Sequence, residues 1–139
     1  MNQAQIYRVR MAAVQGFLAV CLGAFGAHGL KKLLVGLPPE EATKRLSWVA
    51  TGARYQLVHA AALLALAALE GGAKRNRNLE RAGFCFFYGP LLFAATLYAM
   101  ALGAPLWLGA VTPIGGLLMI VGWALLGFSA SLSAGRTRP

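Results

Sequence analysis

Acidic residues are almost absent from this sequence of 139 residues, which contains no aspartate and only four glutamates. Charged residues of either sign make up 12% of the chain, about half the share that is usual in globular domains. Hydrophobic residues make up 58%, and a soluble domain of this size has too little interior to bury them. The composition therefore excludes a disordered chain and most soluble folds, and it favours an integral membrane protein.

Long runs without Asp, Glu, Lys or Arg predict where the chain crosses the membrane. Residues 11–30 form one such run, and as a helix it would be about 30 Å long, the thickness of the hydrocarbon core. Residues 82–135 form another, which is too long for one crossing and contains the turn signal Gly103-Ala104-Pro105. The sequence predicts an all-α protein, a single four-helix membrane bundle with spans at about 11–30, 46–69, 82–102 and 106–132.

A helix start precedes the second span. Pro39, Glu40 and Glu41 place a proline in the first turn and acids near the positive end of the helix dipole. Each acid has a basic residue four positions later, a spacing that predicts two ion pairs: Glu40–Lys44 and Glu41–Arg45.

Basic residues flank the spans, and their distribution predicts the orientation. The net charge is +9, and basic residues collect on the cytoplasmic side of membrane proteins. Four spans put both termini on one side, and that side carries eight basic residues against four on the other. The larger set is Arg8, Arg10, Lys74, Arg75, Arg77, Arg81, Arg136 and Arg138; the smaller is Lys31, Lys32, Lys44 and Arg45. Both termini are therefore predicted to be cytoplasmic, in a multi-pass protein of the inner (plasma) membrane.

Small residues recur along the first and fourth spans, where they would let helix backbones approach closely. The glycines expected at helix contacts are Gly16, Gly23, Gly26, Gly115 and Gly116. Such a face also leaves open a homo-oligomer or a larger membrane complex. Pro113 is expected inside the fourth span, where it would remove a backbone hydrogen bond.

Polar side chains within the spans are costly in lipid and are therefore candidates for function. They are His28, Arg54, Tyr55, Gln56, His59 and Thr112. All are predicted to lie in the outer half of the membrane, and the inner half is expected to be almost wholly apolar. Arg54 has no acid within the spans, so we expect it to face the bundle or a crevice, touching His28, Gln56 or a bound anion.

Two functions fit these residues. In the first, the six side chains form an outer-leaflet pocket that binds, or helps to transport, a lipid headgroup or a small anion, with Arg54 supplying the charge. In the second, the protein is a structural or accessory subunit whose polar groups only hold helices together.

Several other functions find no support in the sequence. Two histidines without a third ligand would make only a weak metal site, so we predict no metal and no cofactor. No nucleophile and base can be paired, so no enzymatic activity is predicted. Nucleic acid is not an expected partner, because no soluble domain presents the basic residues. Cys21 and Cys85 are predicted at different depths, and both are expected to be free thiols.

Three separate motifs carry a resemblance to a known family. They are residues 23–30 (GAFGAHGL), residues 54–56 (RYQ) followed by His59-Ala60, and residues 112–116 (TPIGG) followed by Gly122-Trp123. In this order they resemble the domain-of-unknown-function 423 family, small inner-membrane proteins that look related to transmembrane protein 256 of animals. The resemblance implies a four-helix integral membrane protein, and it brings no known activity or substrate.

Overall fold

Four long helices make up the fold, in a computed structural model that describes residues 1–71 and 76–134. Helix α1 covers Gln3–Leu33, α2 covers Pro39–Leu69, α3 covers Arg77–Ala101 and α4 covers Thr112–Ala134. The described residues contain no strand. Four segments, one for each helix, are long and apolar enough to cross a membrane. The predicted all-α class with four spans is therefore confirmed.

Helix α1 begins earlier than the predicted span because Asn2 caps it. The Asn2 side chain accepts a hydrogen bond from the backbone N–H of Gln5, and the Gln5 side chain accepts one from the backbone N–H of Asn2, each at 2.9 Å. This reciprocal capping satisfies two donors that a helix start leaves open. Near its other end, Gly26–Leu30 form one π-helical turn. The helix thus extends at both ends beyond residues 11–30.

The predicted helix start before the second span and the predicted turn after the third span are both confirmed. Pro39 opens α2 with Glu40 and Glu41 in its first turn. Gly103 follows α3 with a φ of 99°, a left-handed conformation that glycine adopts without steric cost. Its turn lets the backbone N–H of Ala104 reach back to the carbonyl of Ala99 at 2.9 Å, which ends α3.

The fourth helix begins later than predicted. Leu106–Ala110 form a short 3₁₀ turn, and α4 itself starts at Thr112. Pro113 therefore lies in the first turn of α4, where a missing N–H breaks no helical hydrogen bond. The expectation that Pro113 interrupts the fourth span is wrong.

Close backbone packing joins the helices mainly in chain order, α1 with α2, α2 with α3 and α3 with α4. In the most apolar stretch of each helix, half of the residues are buried in α2 and in α3, but only 28% in α1 and 22% in α4. The inner pair α2–α3 thus lies between two helices with large lipid-facing surfaces.

We call the end that holds Met1 and the start of α3 the terminal end, and the end that holds residues 34–38 and 102–111 the distal end. The basic residues Lys74, Arg75, Arg136 and Arg138 lie outside the described residues.

Two of the five predicted packing glycines lie at close helix contacts. A Cβ added to Gly26 would lie 2.5 Å from a methyl carbon of Val49, and one added to Gly115 would lie 2.6 Å from a backbone atom of α3. Gly23 is in ordinary contact with α2. Gly16 and Gly116 differ, because a Cβ on either would meet no atom within 4 Å. The structure therefore does not place Gly16 or Gly116 in a contact between helices of one chain.

Adjacent glycines on α4 provide a matched test of this packing. We expect Gly115→Ala to destabilise the protein by about 1–3 kcal/mol, because the added methyl overpacks a rigid contact. That methyl would lie 2.6 Å from both the carbonyl oxygen of Gly89 and the amide nitrogen of Phe93. Gly116→Ala should melt at or slightly above the parent temperature in detergent. Equal melting temperatures for the two variants would contradict the assigned α3–α4 contact.

Candidate functional site

The six side chains predicted to form one pocket are divided between the interior and the surface. Three are buried: Gln56, His59 and Thr112, with 1%, 3% and 9% of their surface exposed. Three are exposed: His28, Arg54 and Tyr55. Each of the three buried side chains has a hydrogen-bond partner on another helix. The structure therefore does not bring the six together around a common space.

Gln56 of α2 is held by Tyr98 of α3. The phenol hydroxyl donates to the amide oxygen of Gln56, with 2.6 Å between the two oxygens. The ring can lie this close to α2 because Gly52 has no side chain, and a Cβ there would be 2.8 Å from the ring. Burial shields the bond from water, so it acts as a polar contact between two membrane helices.

His59 joins α2 to α4. Its Nδ1 lies 2.8 Å from the backbone carbonyl of Tyr55, and its Nε2 lies 3.3 Å from the indole nitrogen of Trp123. A carbonyl can only accept and an indole N–H can only donate. These partners therefore assign the neutral tautomer with the proton on Nδ1. Phe86 packs against the edge of the ring at 5.4 Å, so the histidine is enclosed by aromatic side chains.

Thr112 joins α4 to α3. Its hydroxyl lies 2.8 Å from that of Thr96, which in turn donates to the carbonyl of Phe93 at 2.8 Å. The Thr112 hydroxyl also lies 3.4 Å from the carbonyl of Leu108, so its one proton has two acceptors within reach, this carbonyl and the Thr96 hydroxyl. Tyr98, Trp123 and Thr96 were not predicted as partners, because one sequence does not reveal which residues face each other across helices.

Arg54 faces away from the other helices, which corrects the prediction that it faces the bundle. Its side chain is exposed, and it has no ion pair in the part of the chain that the structure describes. The reason is helix geometry: at about 100° per residue, position 54 lies nearly opposite the buried face that contains Gly52 and Gln56. An arginine on a lipid-facing surface can extend its charge towards the membrane surface.

An open groove lies between α2 and the start of α4, with α3 as its floor. Its volume is about 450 Å³ and its lining is mostly apolar. Tyr55 lies two turns further along α2 than Trp48, and its ring packs on Phe93 at 4.8 Å. Beyond Tyr55, the His59–Trp123 contact brings α2 and α4 together. The lining residues are Lys44, Trp48, Phe93, Leu97, Met100, Leu106, Gly109, Thr112 and Pro113.

A charged crevice of about 600 Å³ at the distal end continues this groove. Arg45 and Glu41 form an ion pair with Nε 3.1 Å from the carboxylate, as predicted. The predicted Glu40–Lys44 pair is not among the ion pairs of the described residues. Lys44 instead places its ammonium group 5.4 Å from the centre of the Trp48 ring. That position puts a positive charge at the point where crevice and groove meet.

A buried ion pair at the terminal end joins three helices, and the sequence analysis did not predict it. Arg8 of α1 lies 3.3 Å from Glu70 at the end of α2, and their side chains are 7% and 9% exposed. The guanidinium also donates to the carbonyls of Leu79 and Glu80 of α3 at 3.4 and 3.1 Å. Gly83 leaves room for it, because a Cβ there would collide with the guanidinium. The sequence feature that could have predicted this ion pair is the presence of opposite charges at the same end of neighbouring helices.

Gln15 adds a buried polar contact between α1 and α3 in this half of the protein. It is fully buried, and its amide nitrogen donates to the carbonyl of Phe87 at 2.6 Å. Pro90 has no N–H to donate to the carbonyl of Phe86, and Gln15 binds the carbonyl of the next residue, Phe87. The expectation that this half of the protein is almost wholly apolar inside is therefore wrong.

Metal-ligating side chains are sparse. The described residues contain no group of three or more His, Cys, Asp or Glu side chains that could hold an ion. Cys21 is exposed and Cys85 is buried, and both are free thiols as predicted.

These features define the class: a four-span integral membrane protein with polar contacts between its helices and an amphipathic cleft at one end. The family described as protein of unknown function (DUF423) matches residues 22–116. The chain belongs to this family, and the resemblance seen in the three sequence motifs is confirmed.

The chain is also similar to several bacterial membrane proteins. A UPF0382 membrane protein of Haemophilus influenzae is 39% identical over 121 residues, covering 86% of this chain and 90% of that protein. The UPF0382 membrane protein YwdK of Bacillus subtilis is 36% identical over 84% of this chain and 89% of its own length. The UPF0382 inner membrane protein YgdD of Escherichia coli is 36% identical over 83% and 82%. No solved structure matches the chain. The relatives and the four spans confirm the predicted location in the inner membrane.

Proposed function

We propose that this protein is a non-enzymatic membrane protein that binds a phospholipid in its distal cleft, the name we give to the groove and the crevice together. The observation that carries the proposal is the continuity of the apolar groove with the charged crevice, which share Lys44, Trp48, Met100 and Leu106. An acyl chain is apolar and a headgroup is charged, so one lipid would fill both parts. This keeps the ligand class predicted from the sequence and moves its charged contact from Arg54 to Lys44.

Lys44 is the residue that binds the lipid phosphate in this proposal. It is exposed, so its ammonium group is accessible to a headgroup, and its position over Trp48 fixes it at the entrance of the groove. Indole rings are enriched at the membrane interface, the depth at which phosphates lie. Thr112 lines the groove below this level, and the Tyr55 ring packs on Phe93 of its floor. Two of the predicted site residues thus lie at or beside the path proposed for the acyl chain.

The distal cleft opens to the outer leaflet in this proposal. The distribution of basic residues favours cytoplasmic termini, and the distal end lies at the opposite end of the bundle from Met1 and the end of α4.

The second candidate function is that of a structural or accessory subunit, and the buried hydrogen bonds favour it. Gln56, His59 and Thr112 each bind a side chain of another helix, which leaves them little capacity for a ligand. These contacts also serve a lipid-binding protein, because they hold the walls of the cleft in place. The two candidates differ in whether the groove is occupied by lipid.

Removal of the charge on Lys44 tests the proposal. We expect Lys44→Gln to lower the affinity for a phospholipid about fivefold, because one basic residue near a membrane surface contributes about 1 kcal/mol of attraction to lipid phosphates. Lys32→Gln serves as the control, since Lys32 is exposed at the same end of the molecule and does not line the groove. The measurement is native mass spectrometry of the purified protein titrated with phosphatidylglycerol.

Two results would contradict the assignment of Lys44. One is equal phosphatidylglycerol binding by Lys44→Gln and the parent protein. The other is an equal loss in Lys44→Gln and Lys32→Gln, which would show that only the overall charge of the distal end matters.

A further inference from the structure

The crevice holds charges of both signs. Glu40, Glu41, Lys44 and Arg45 all line it. Arg45 is bound to Glu41 in an i,i+4 ion pair, so these two charges largely neutralise each other. The other two, Lys44 and Glu40, form no ion pair with the described residues. The crevice therefore presents one positive and one negative charge to a ligand.

These two charges lie close together on the same face of α2. Residues four positions apart on a helix have Cβ atoms about 5–6 Å apart. A headgroup with only a negative charge would be attracted by Lys44 and repelled by Glu40. A headgroup that carries a phosphate and, a short linker away, an ammonium group would place each charge beside its opposite. The pattern of charges therefore favours a zwitterion over a simple anion.

We propose that the distal crevice selects a phospholipid with a zwitterionic headgroup, whose phosphate binds Lys44 and whose ammonium group binds Glu40. This inference rests on the proposed phospholipid binding and adds its headgroup class. Glu40 is a specificity-determining residue that contributes little to total binding, since the phosphate and the acyl chain bind elsewhere in the cleft.

The test is a competition between two lipids with identical acyl chains. The full-length protein is equilibrated with vesicles of equimolar phosphatidylethanolamine and phosphatidylglycerol, extracted gently, and its retained lipids are quantified by mass spectrometry. We expect the parent protein to retain phosphatidylethanolamine in excess over the vesicle composition. Glu40→Gln should lower the ratio of phosphatidylethanolamine to phosphatidylglycerol by about 1.4- to fivefold, the range for one exposed ion pair.

Two further variants test whether the lipid ratio depends on the charge at position 40. Glu40→Lys should shift the ratio beyond that of Glu40→Gln, in favour of phosphatidylglycerol. Lys31→Gln, at an exposed site of the distal end that does not line the crevice, should leave the ratio unchanged. Because Glu40 is exposed on the first turn of α2, its variants should lose only the helix-dipole contribution of about 0.3–1 kcal/mol and stay folded.

The outcomes separate the headgroup inference from the proposed function. Retained lipid with the same ratio in the parent and in Glu40→Gln, or with an excess of phosphatidylglycerol in the parent, would overturn the zwitterion assignment and leave phospholipid binding in place. The absence of retained lipid from the parent would overturn both.

Discussion

Arg8→Met is expected to destabilise the protein by about 3–5 kcal/mol, the usual cost of leaving one partner of a buried ion pair without the other. Glu70 keeps 9% of its side-chain surface exposed, so its carboxylate would remain in a poorly solvated site without this cation. The same substitution also removes the hydrogen bonds from the guanidinium to the carbonyls of Leu79 and Glu80. The contact of α1 with the start of α3 would weaken, and thermal unfolding in detergent should show a lowered transition temperature.

The matched control for this prediction is Arg10→Met. Arg10 is two residues away on the same helix and is exposed, so its loss should change the transition temperature little. The double variant Arg8→Met/Glu70→Gln should recover part of the stability, because it removes the charge that Arg8→Met leaves behind. An Arg8→Met protein as stable as Arg10→Met would show that the ion pair does not stabilise the fold.

Gly109→Phe is expected to abolish most lipid binding, reducing bound phospholipid at least tenfold. Gly109 lines the groove, and a Cβ added there would have only the side chain of Met100 within 4 Å, the nearest atom at 3.7 Å. A phenyl ring at this position would therefore extend into the space proposed for the acyl chain. The ring and an acyl chain cannot occupy the same space, so the variant should exclude the lipid whatever its headgroup. Phosphatidylethanolamine and phosphatidylglycerol should therefore be lost alike in native mass spectra.

Ala110→Phe is the control for groove occlusion. Ala110 is the neighbouring residue, is exposed and does not line the groove, so its variant should bind as much lipid as the parent. Both variants should retain the parent's helical content by circular dichroism. If Gly109→Phe binds as much lipid as Ala110→Phe, the acyl chain is not in this groove.

The sequence predicted the spans because they depend on local properties of the chain. Uninterrupted apolar runs and the turn at Gly103 are visible without knowledge of any partner, and the structure confirms them. The first helix extends beyond its apolar run because a cap at Asn2 depends on hydrogen bonds rather than on hydropathy. Pro113 was placed inside a helix because a proline at a helix start and one in its middle look alike in an apolar run.

The candidate site was predicted only in part because it depends on how helices face each other. That Gln56 and His59 are buried follows from their position on one face of α2, but their partners Tyr98 and Trp123 belong to other helices. Arg54 was expected inside because an acid partner was lacking, although its helical position directs it outwards. Lys44 was expected to pair with Glu40, whereas the groove that makes it a candidate ligand contact exists only once α2, α3 and α4 are assembled.

The most direct test of the account is the distance between the Lys44 ammonium nitrogen and lipid phosphorus. Solid-state nuclear magnetic resonance can measure it for protein with ¹⁵N-labelled lysine in phospholipid vesicles, with Lys44→Gln identifying the signal. A phospholipid bound in the distal cleft predicts strong ¹⁵N–³¹P coupling for Lys44, consistent with a hydrogen bond of about 2.8 Å from nitrogen to a phosphate oxygen, and loss of that coupling in Gly109→Phe. Coupling no stronger for Lys44 than for Lys31 and Lys32, or coupling that persists unchanged in Gly109→Phe, would contradict a phospholipid bound in the distal cleft.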